Sequence, residues 1–202
     1  DILGGKAIAA GPKNLLGIAY RHAPIAITVE GANILTRALI IFGQGAVRCH
    51  PHVLAEINAV EAKDERALGS ALLGHVVHVV RNAMKSLVHA PVVGTPPAEL
   101  RAEARLIARV SAKYALTADL ALGLLGGRLK RMELLSARLG DVLSYLYLAS
   151  ACVWRYETEG EKSVLPIARA AIRVQLDMAA RTLRDLYANL PSTTLRVSAP
   201  FV

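Results

Sequence analysis

From Asp64 to Leu190 the chain carries four long stretches in which apolar side chains recur every three to four residues, with strong breakers between them. That is the helical period, so each stretch presents an apolar stripe that has to be buried against a neighbour. The first runs from about Asp64 to His89, capped by Asp64 and stopped by Pro91. The loop Val92-Val93-Gly94-Thr95-Pro96-Pro97 follows. The second, Ala98 to Leu125, has Leu100, Leu106, Ile107, Val110 and Tyr114 as its core stripe and ends at Gly126-Gly127. The third, Arg128 to about Tyr156, is the most apolar, and the fourth, Ser163 to Leu190, has Pro166 in its first turn and Pro191 after its end. Short links between long helices make antiparallel neighbours, so the expectation is an all-α chain with a four-helix bundle. Composition agrees: Ala and Leu dominate, and only 4% of the residues are aromatic.

Ahead of the bundle the pattern is shorter and more broken. Pro12 to Arg21 reads as a short helix ended by His22-Ala23-Pro24. Ile25 to Val29 are mostly β-branched and read as extended, and Ala32 to Gly43 has a helical stripe of Ile34, Leu35, Ala38, Leu39 and Phe42 before Gly43-Gln44-Gly45 breaks it. Glu30 therefore falls in a short turn between an apolar run and a helix. A carboxylate with apolar neighbours loses hydration, which favours its neutral form and makes a base suited to a weak carbon acid. Spacing alone also fits a first-turn acid favoured by the helix dipole, and such acids are common.

The segment Ile27-Thr28-Val29-Glu30-Gly31 resembles the Tyr-Glu-Gly segment of the acyl-CoA dehydrogenases, with Val29 in place of Tyr. The longer run Ile27 to Arg48 is similar to the large bacterial fatty acyl-CoA dehydrogenases that carry an extra C-terminal helical domain, with Ala32-Asn33 in place of the usual Thr-Ser or Thr-Asn. Ile2-Leu3-Gly4-Gly5 resembles the family's Gly-Gly segment, whose backbone packs on the adenosine-pyrophosphate of FAD. The resemblance implies that Glu30 takes the pro-R α-proton of a fatty acyl-CoA while the β-hydride passes to FAD, giving the trans-2-enoyl-CoA of β-oxidation. It implies that Gly31 adjoins the substrate and that Gly4, Gly5, Val29, Ala32 and Asn33 adjoin FAD. It further implies that reduced FAD passes its electrons to an electron-transfer flavoprotein. Residues 1–60 are then expected to end the dehydrogenase C-terminal helical domain, and residues 61–202 to form the additional antiparallel bundle. Asp1-Ile2-Leu3-Gly4-Gly5 reads as the middle of a longer chain, so the 202 residues alone are expected to be inactive.

The formal charge of +8 fits an anionic ligand, an anionic membrane surface or nucleic acid, and nucleic acid fits worst because aromatic residues are not interleaved with the basic ones. Arg128, Lys130, Arg131 and Arg138 cluster beside the uncharged run Val142 to Trp154, which is too short to span a bilayer. Peripheral contact with the inner membrane from the cytoplasm is the expectation there, with a solvated helix end as the simpler reading. Cys49 and Cys152 lie far apart in apolar contexts and read as buried thiols of a reducing compartment. Arg48-Cys49-His50-Pro51-His52 lacks metal-site spacing and a second ligand pair, and His75 and His78 read as core or interface histidines, so no metal is expected. An extra bundle after the dehydrogenase helices would occupy the surface through which smaller relatives pair as tetramers, so a homodimer is expected. The alternative is a helical oligomerisation or membrane-docking module without chemistry of its own, and Glu30 is the residue such a module has no need of.

Overall fold

The computed structural model describes residues 9, 11, 12, 14–29, 36–87, 91, 92 and 94–191. All regular structure among them is helical. Seven α-helices follow in order: α1 Leu15–Val29, α2 Gly45–Cys49, α3 Val53–Glu61, α4 Glu65–Leu87, α5 Arg101–Leu125, α6 Glu133–Glu159 and α7 Leu165–Ala188. A π-helical segment, Thr36–Gln44, runs directly into α2, and 3₁₀ turns at Ala98–Leu100, Gly126–Arg131 and Lys162–Val164 lead into α5, α6 and α7. The chain divides into two compact units, up to Thr36 and from Arg37.

In the first unit, Asn14 caps α1: its Oδ1 accepts the Gly17 N–H at 2.7 Å. The helix then runs through Pro24 to Val29, correcting both the break at Pro24 and the extended reading of Ile25 to Val29. Pro24 has no N–H for the Tyr20 carbonyl. The helix aversion of β-branched residues amounts to only a few tenths of a kcal/mol each, about 0.5 at most, so a run of them does not forbid a helix.

In the second unit, two hydrophobic clusters tie α5, α6 and α7 together. One joins Leu100 and Ile107 to Val142, Leu146 and Ala149 of α6 and to Ile172 and Leu183 of α7. The other joins Ala121 and Leu125 to Leu139, Leu186 and Tyr187, with Phe42 of the π-helical segment inserted among them. Leu139, Val142, Ala149, Ile172 and Ala179 are fully buried. Each buried Leu, Ile or Val contributes about 1.5–3 kcal/mol of transfer free energy. Burial of Ala38 and Phe42 explains why Gly43-Gln44-Gly45 does not end the helix as expected. A mid-helix glycine costs only about 1 kcal/mol, less than the packing of a phenylalanine. The close approach of this segment to α6 depends on Gly140, where a Cβ would lie 2.8 Å from the Arg37 carbonyl oxygen. Beside it, Arg37 Nη1 donates to Asp141 Oδ1 at 2.6 Å.

The helix signals are used much as expected. Asp64 Oδ1 accepts the N–H groups of Arg66 and Ala67, each at 3.0 Å, and so caps α4. Gly126 takes a positive φ of 50° after α5, and Pro166 stands in the first turn of α7. Leu106 is the exception in the α5 stripe, 47% exposed. Cys152 is half-buried and Cys49 exposed, which corrects the expectation of two buried thiols. Among the described residues no helix is long and apolar enough to cross a membrane.

Candidate functional site

A polar cluster lies where α2, α3, α4 and α5 meet. His50 follows α2 with an extended backbone, φ −71° and ψ 133°, which turns the chain at Pro51. Its Nδ1 accepts the N–H groups of His52 at 3.2 Å and Val53 at 3.1 Å, so the ring satisfies two orphan donors at the start of α3. With Nδ1 accepting, the neutral ring carries its proton on Nε2. The His52 ring lies over Gly74, where a Cβ would come within 2.6 Å of its Cε1, so the missing side chain makes room for it. Glu56 lies one turn into α3, and its Oε1 is 2.7 Å from His75 Nδ1.

On α4, His75, His78 and Asn82 are spaced three and four apart, which places them on one face. Asn82 Nδ2 is 2.8 Å from His78 Nε2. Asp119 comes from the C-terminal half of α5, its side chain only 4% exposed. Its Oδ1 lies 3.1 Å from His50 Nε2 and 3.9 Å from His75 Nε2. The His50 ring centre is 4.5 Å from that of His75 and 5.1 Å from that of His78. His50 Nε2 and Asp119 Oδ2 are both buried and lack a hydrogen-bond partner.

Burial sets the titration of the centre. It pushes the Asp119 carboxyl up, against the pull of His78 and His75. It holds His50 down, helped by the neighbouring His75 and His52, and holds His78 down against the pull of Asp119. Every one of these shifts disfavours charge, as a buried site without full pairing must. The arrangement is suited to holding a proton or a cation between a carboxylate and imidazole nitrogens.

A cavity of about 740 Å³ opens beside the centre, between His78, Asn82 and Lys85 of α4 and Ile107, Val153 and Trp154 of α5 and α6. His78 and Asn82 belong to both cavity and centre.

Glu30, Gly31, Ala32 and Asn33, like Gly4 and Gly5, lie outside the described residues, and of Val29 only the backbone is described, as the last residue of α1. Of the basic cluster, Arg128 and Arg131 are exposed on the 3₁₀ turn, and Arg138 lies in the second turn of α6. The structure brings together the two histidine pairs that the sequence reading kept apart, with His75 and His78 part-buried where α4 packs on its neighbours. Asp119 and Glu56 went unnoticed in the sequence. The available signal was Asp119 itself, a lone acid in the apolar run Ala115 to Leu125.

The seven helices define an all-α protein without strands among the described residues. The family described as acyl-CoA dehydrogenase, C-terminal, bacterial type, matches residues 47–201, and the chain belongs to that family. No solved structure matches it.

Proposed function

We propose that the chain is the C-terminal helical part of an FAD-dependent enzyme that oxidises a fatty acyl-CoA to the trans-2-enoyl-CoA in β-oxidation. One observation carries this reading. The family match begins at residue 47, 16 positions after Gly31, the end of the Ile27–Gly31 segment that resembles the catalytic segment of the acyl-CoA dehydrogenases. Glu30 is the base in this reading: it takes the α-proton, and apolar neighbours keep it basic enough to do so. FAD, when bound, supplies the hydride acceptor. Gly4, Gly5, Val29, Ala32 and Asn33 are the residues of this chain assigned to its edge, and the described residues carry no geometry for it. An electron-transfer flavoprotein would reoxidise the enzyme. The working form would be a homodimer in the cytoplasm, and Arg128, Lys130, Arg131 and Arg138 would hold it peripherally at the inner membrane.

The test is Glu30→Gln in the full-length enzyme. The amide is nearly isosteric but cannot take the proton, so bleaching of the flavin by acyl-CoA should nearly vanish while FAD stays bound. Near-normal bleaching would reject Glu30 as the base.

A second reading, a docking or oligomerisation module, is favoured by the outer face of α4, where Leu72, Leu73, Val76, Val77, Val80 and Met84 are all exposed. The visible spectrum of the purified full-length protein separates the two, because only the dehydrogenase carries flavin bands.

A further inference from the structure

We propose that the histidine–carboxylate centre is a binding site for one divalent transition-metal ion of the zinc type, held by Asp119, His75 and His78, with His50 beside them. This does not rest on the dehydrogenase chemistry assigned to Glu30.

The roles follow from hydrogen-bond directions. A carboxylate only accepts, so the Glu56 oxygen 2.7 Å from His75 Nδ1 places the ring proton on that nitrogen. His75 Nε2 is left with a bare lone pair, and it faces another acceptor, Asp119 Oδ1, at 3.9 Å. Two acceptors pointed at one another across a buried gap repel unless a cation lies between them. The separation suits an ion: two ligands of one tetrahedral zinc, bonded at about 2.0–2.2 Å, stand roughly 3.3–3.6 Å apart. The pair Glu56–His75 also has the form of a carboxylate that fixes the tautomer and orientation of a metal-binding histidine.

Asp119 Oδ2 supplies an independent indication, since it is buried without a hydrogen-bond partner. His78 completes the set. A nitrogen of His78, a nitrogen of His50 and an oxygen of Asp119 all lie within 4.8 Å of one another. With its amide turned to present the oxygen, Asn82 accepts from His78 Nε2–H and leaves Nδ1 as the nitrogen that can take an ion. His50 is held the wrong way round to be a ligand. The two amides at its Nδ1 keep its proton on Nε2, 3.1 Å from Asp119 Oδ1, so its lone pair is already used. Arg81 Nη2 lies 3.3 Å from His78 Nδ1 as a donor and has to swing away for an ion to take the lone pair. It is solvent-exposed, so that movement leaves no buried gap. Three protein ligands leave a fourth position open, and the cavity at His78 and Asn82 gives the ion a way in.

The experiment uses the purified full-length protein, stripped with a chelator. Cobalt(II) is added while the visible ligand-field bands of a tetrahedral ion are recorded, and zinc(II) is titrated calorimetrically. One ion per chain is expected. His75→Gln and Asp119→Asn should each weaken binding by at least about 100-fold, and Glu56→Gln by about tenfold, as for loss of an outer carboxylate. His22→Gln, on the exposed side of α1, should leave it unchanged. Should Asp119→Asn fail to fold, the half-exposed His75 and Glu56 variants carry the test, together with a zinc-dependent rise in melting temperature that wild type shows and His75→Gln lacks. The proposal falls if wild type binds no more tightly than His75→Gln, or if no cobalt band forms. In either case the centre holds a proton alone.

Discussion

The α6–α7 pair and the α3–α4 pair are built in opposite ways. Between α6 and α7 the buried residues are mostly hydrocarbon, and Ala149 and Ala179, both without exposed surface, leave no bulk between the two helices. Around α3 and α4 the order is reversed. Their buried positions are Ala59, Ala71, Asn82 and Ser86, their polar centre lies inside, and Leu73, Val76 and Met84 face out at 67%, 59% and 63% exposure. A hydrocarbon interior holds its shape whatever the pH or ligand. A half-polar interior beneath an apolar skin depends on what binds it and on what covers it. The chemistry of the described residues belongs to the second region, and most of the stability belongs to the first.

The sharpest way to break this contrast is to cut equal volumes from each region. Leu139→Ala or Ile172→Ala should cost about 2–5 kcal/mol, because each leaves a cavity in a fully buried site. Leu73→Ala, on the outer face of α4, should stay within about 0.5 kcal/mol. Denaturant melts of the three variants decide it: comparable losses at Leu73 and Leu139 would mean that the α4 face is already covered in solution.

Next in size is Gly140→Ala. The added Cβ meets backbone oxygen rather than a flexible side chain, so the π-helical segment must back away from α6. A loss of about 1–3 kcal/mol is expected, as for overpacking elsewhere. Removing the adjacent ion pair by Arg37→Met should cost less, since Arg37 is 38% exposed. A larger loss at Arg37 would show that charge, not close packing, holds the segment down.

A polar link inside the hydrocarbon region gives a third test. Thr117 Oγ1 donates its proton to the Lys113 carbonyl at 2.7 Å, so Tyr187 must be the donor in the 2.9 Å contact between the two hydroxyls. Thr117→Val keeps the shape and strands that phenol, at a cost of about 1–3 kcal/mol. The pH dependence has a definite sign. Burial raises the Tyr114 and Tyr187 phenols above their ordinary value of 10.0. The unfolded chain therefore loses its phenol protons first, and stability present below pH 10 is lost as the pH rises above it. Tyr114→Phe and Tyr187→Phe should each flatten that alkaline limb, because each removes a phenol whose ionisation the folded state resists. An unchanged limb would place the ionisation elsewhere.

The same contrast decided how much could be read from sequence. The α5, α6 and α7 helices were legible because a 3.6-residue stripe and its stop signals are local properties. Pro166 and Gly126 need no partner to be interpreted. Pro24 misled because one proline costs a fixed local penalty, whereas the helix around it is set by many residues. The centre was invisible for a different reason. His50 and His75 are 25 positions apart and Asp119 lies on a third helix, so no spacing rule joins them. Only the packing of α3 and α4 beside α5 does. Asp119 was recognisable as an anomaly on an apolar stripe, but its partners were not.

The smallest effect expected is at the start of α4, and it asks whether the two regions move independently. Asp64 Oδ1 accepts two N–H groups that the helix cannot satisfy itself. Asp64→Ala removes both bonds together with the favourable charge at the positive end of the helix dipole, and should cost about 1 kcal/mol. Asp64→Asn keeps the acceptor and loses the charge, so it should recover most of that loss. Because α4 is packed through a half-polar face, the loss should appear first as local fraying. Hydrogen exchange of the Arg66 and Ala67 amides should speed up several-fold, while the amides of Val142 and Ile172 keep their wild-type rates. If exchange in α6 and α7 rises in step with the α4 amides, then the two regions open as one cooperative unit, and the centre between α3, α4 and α5 is as stable as the hydrocarbon core itself.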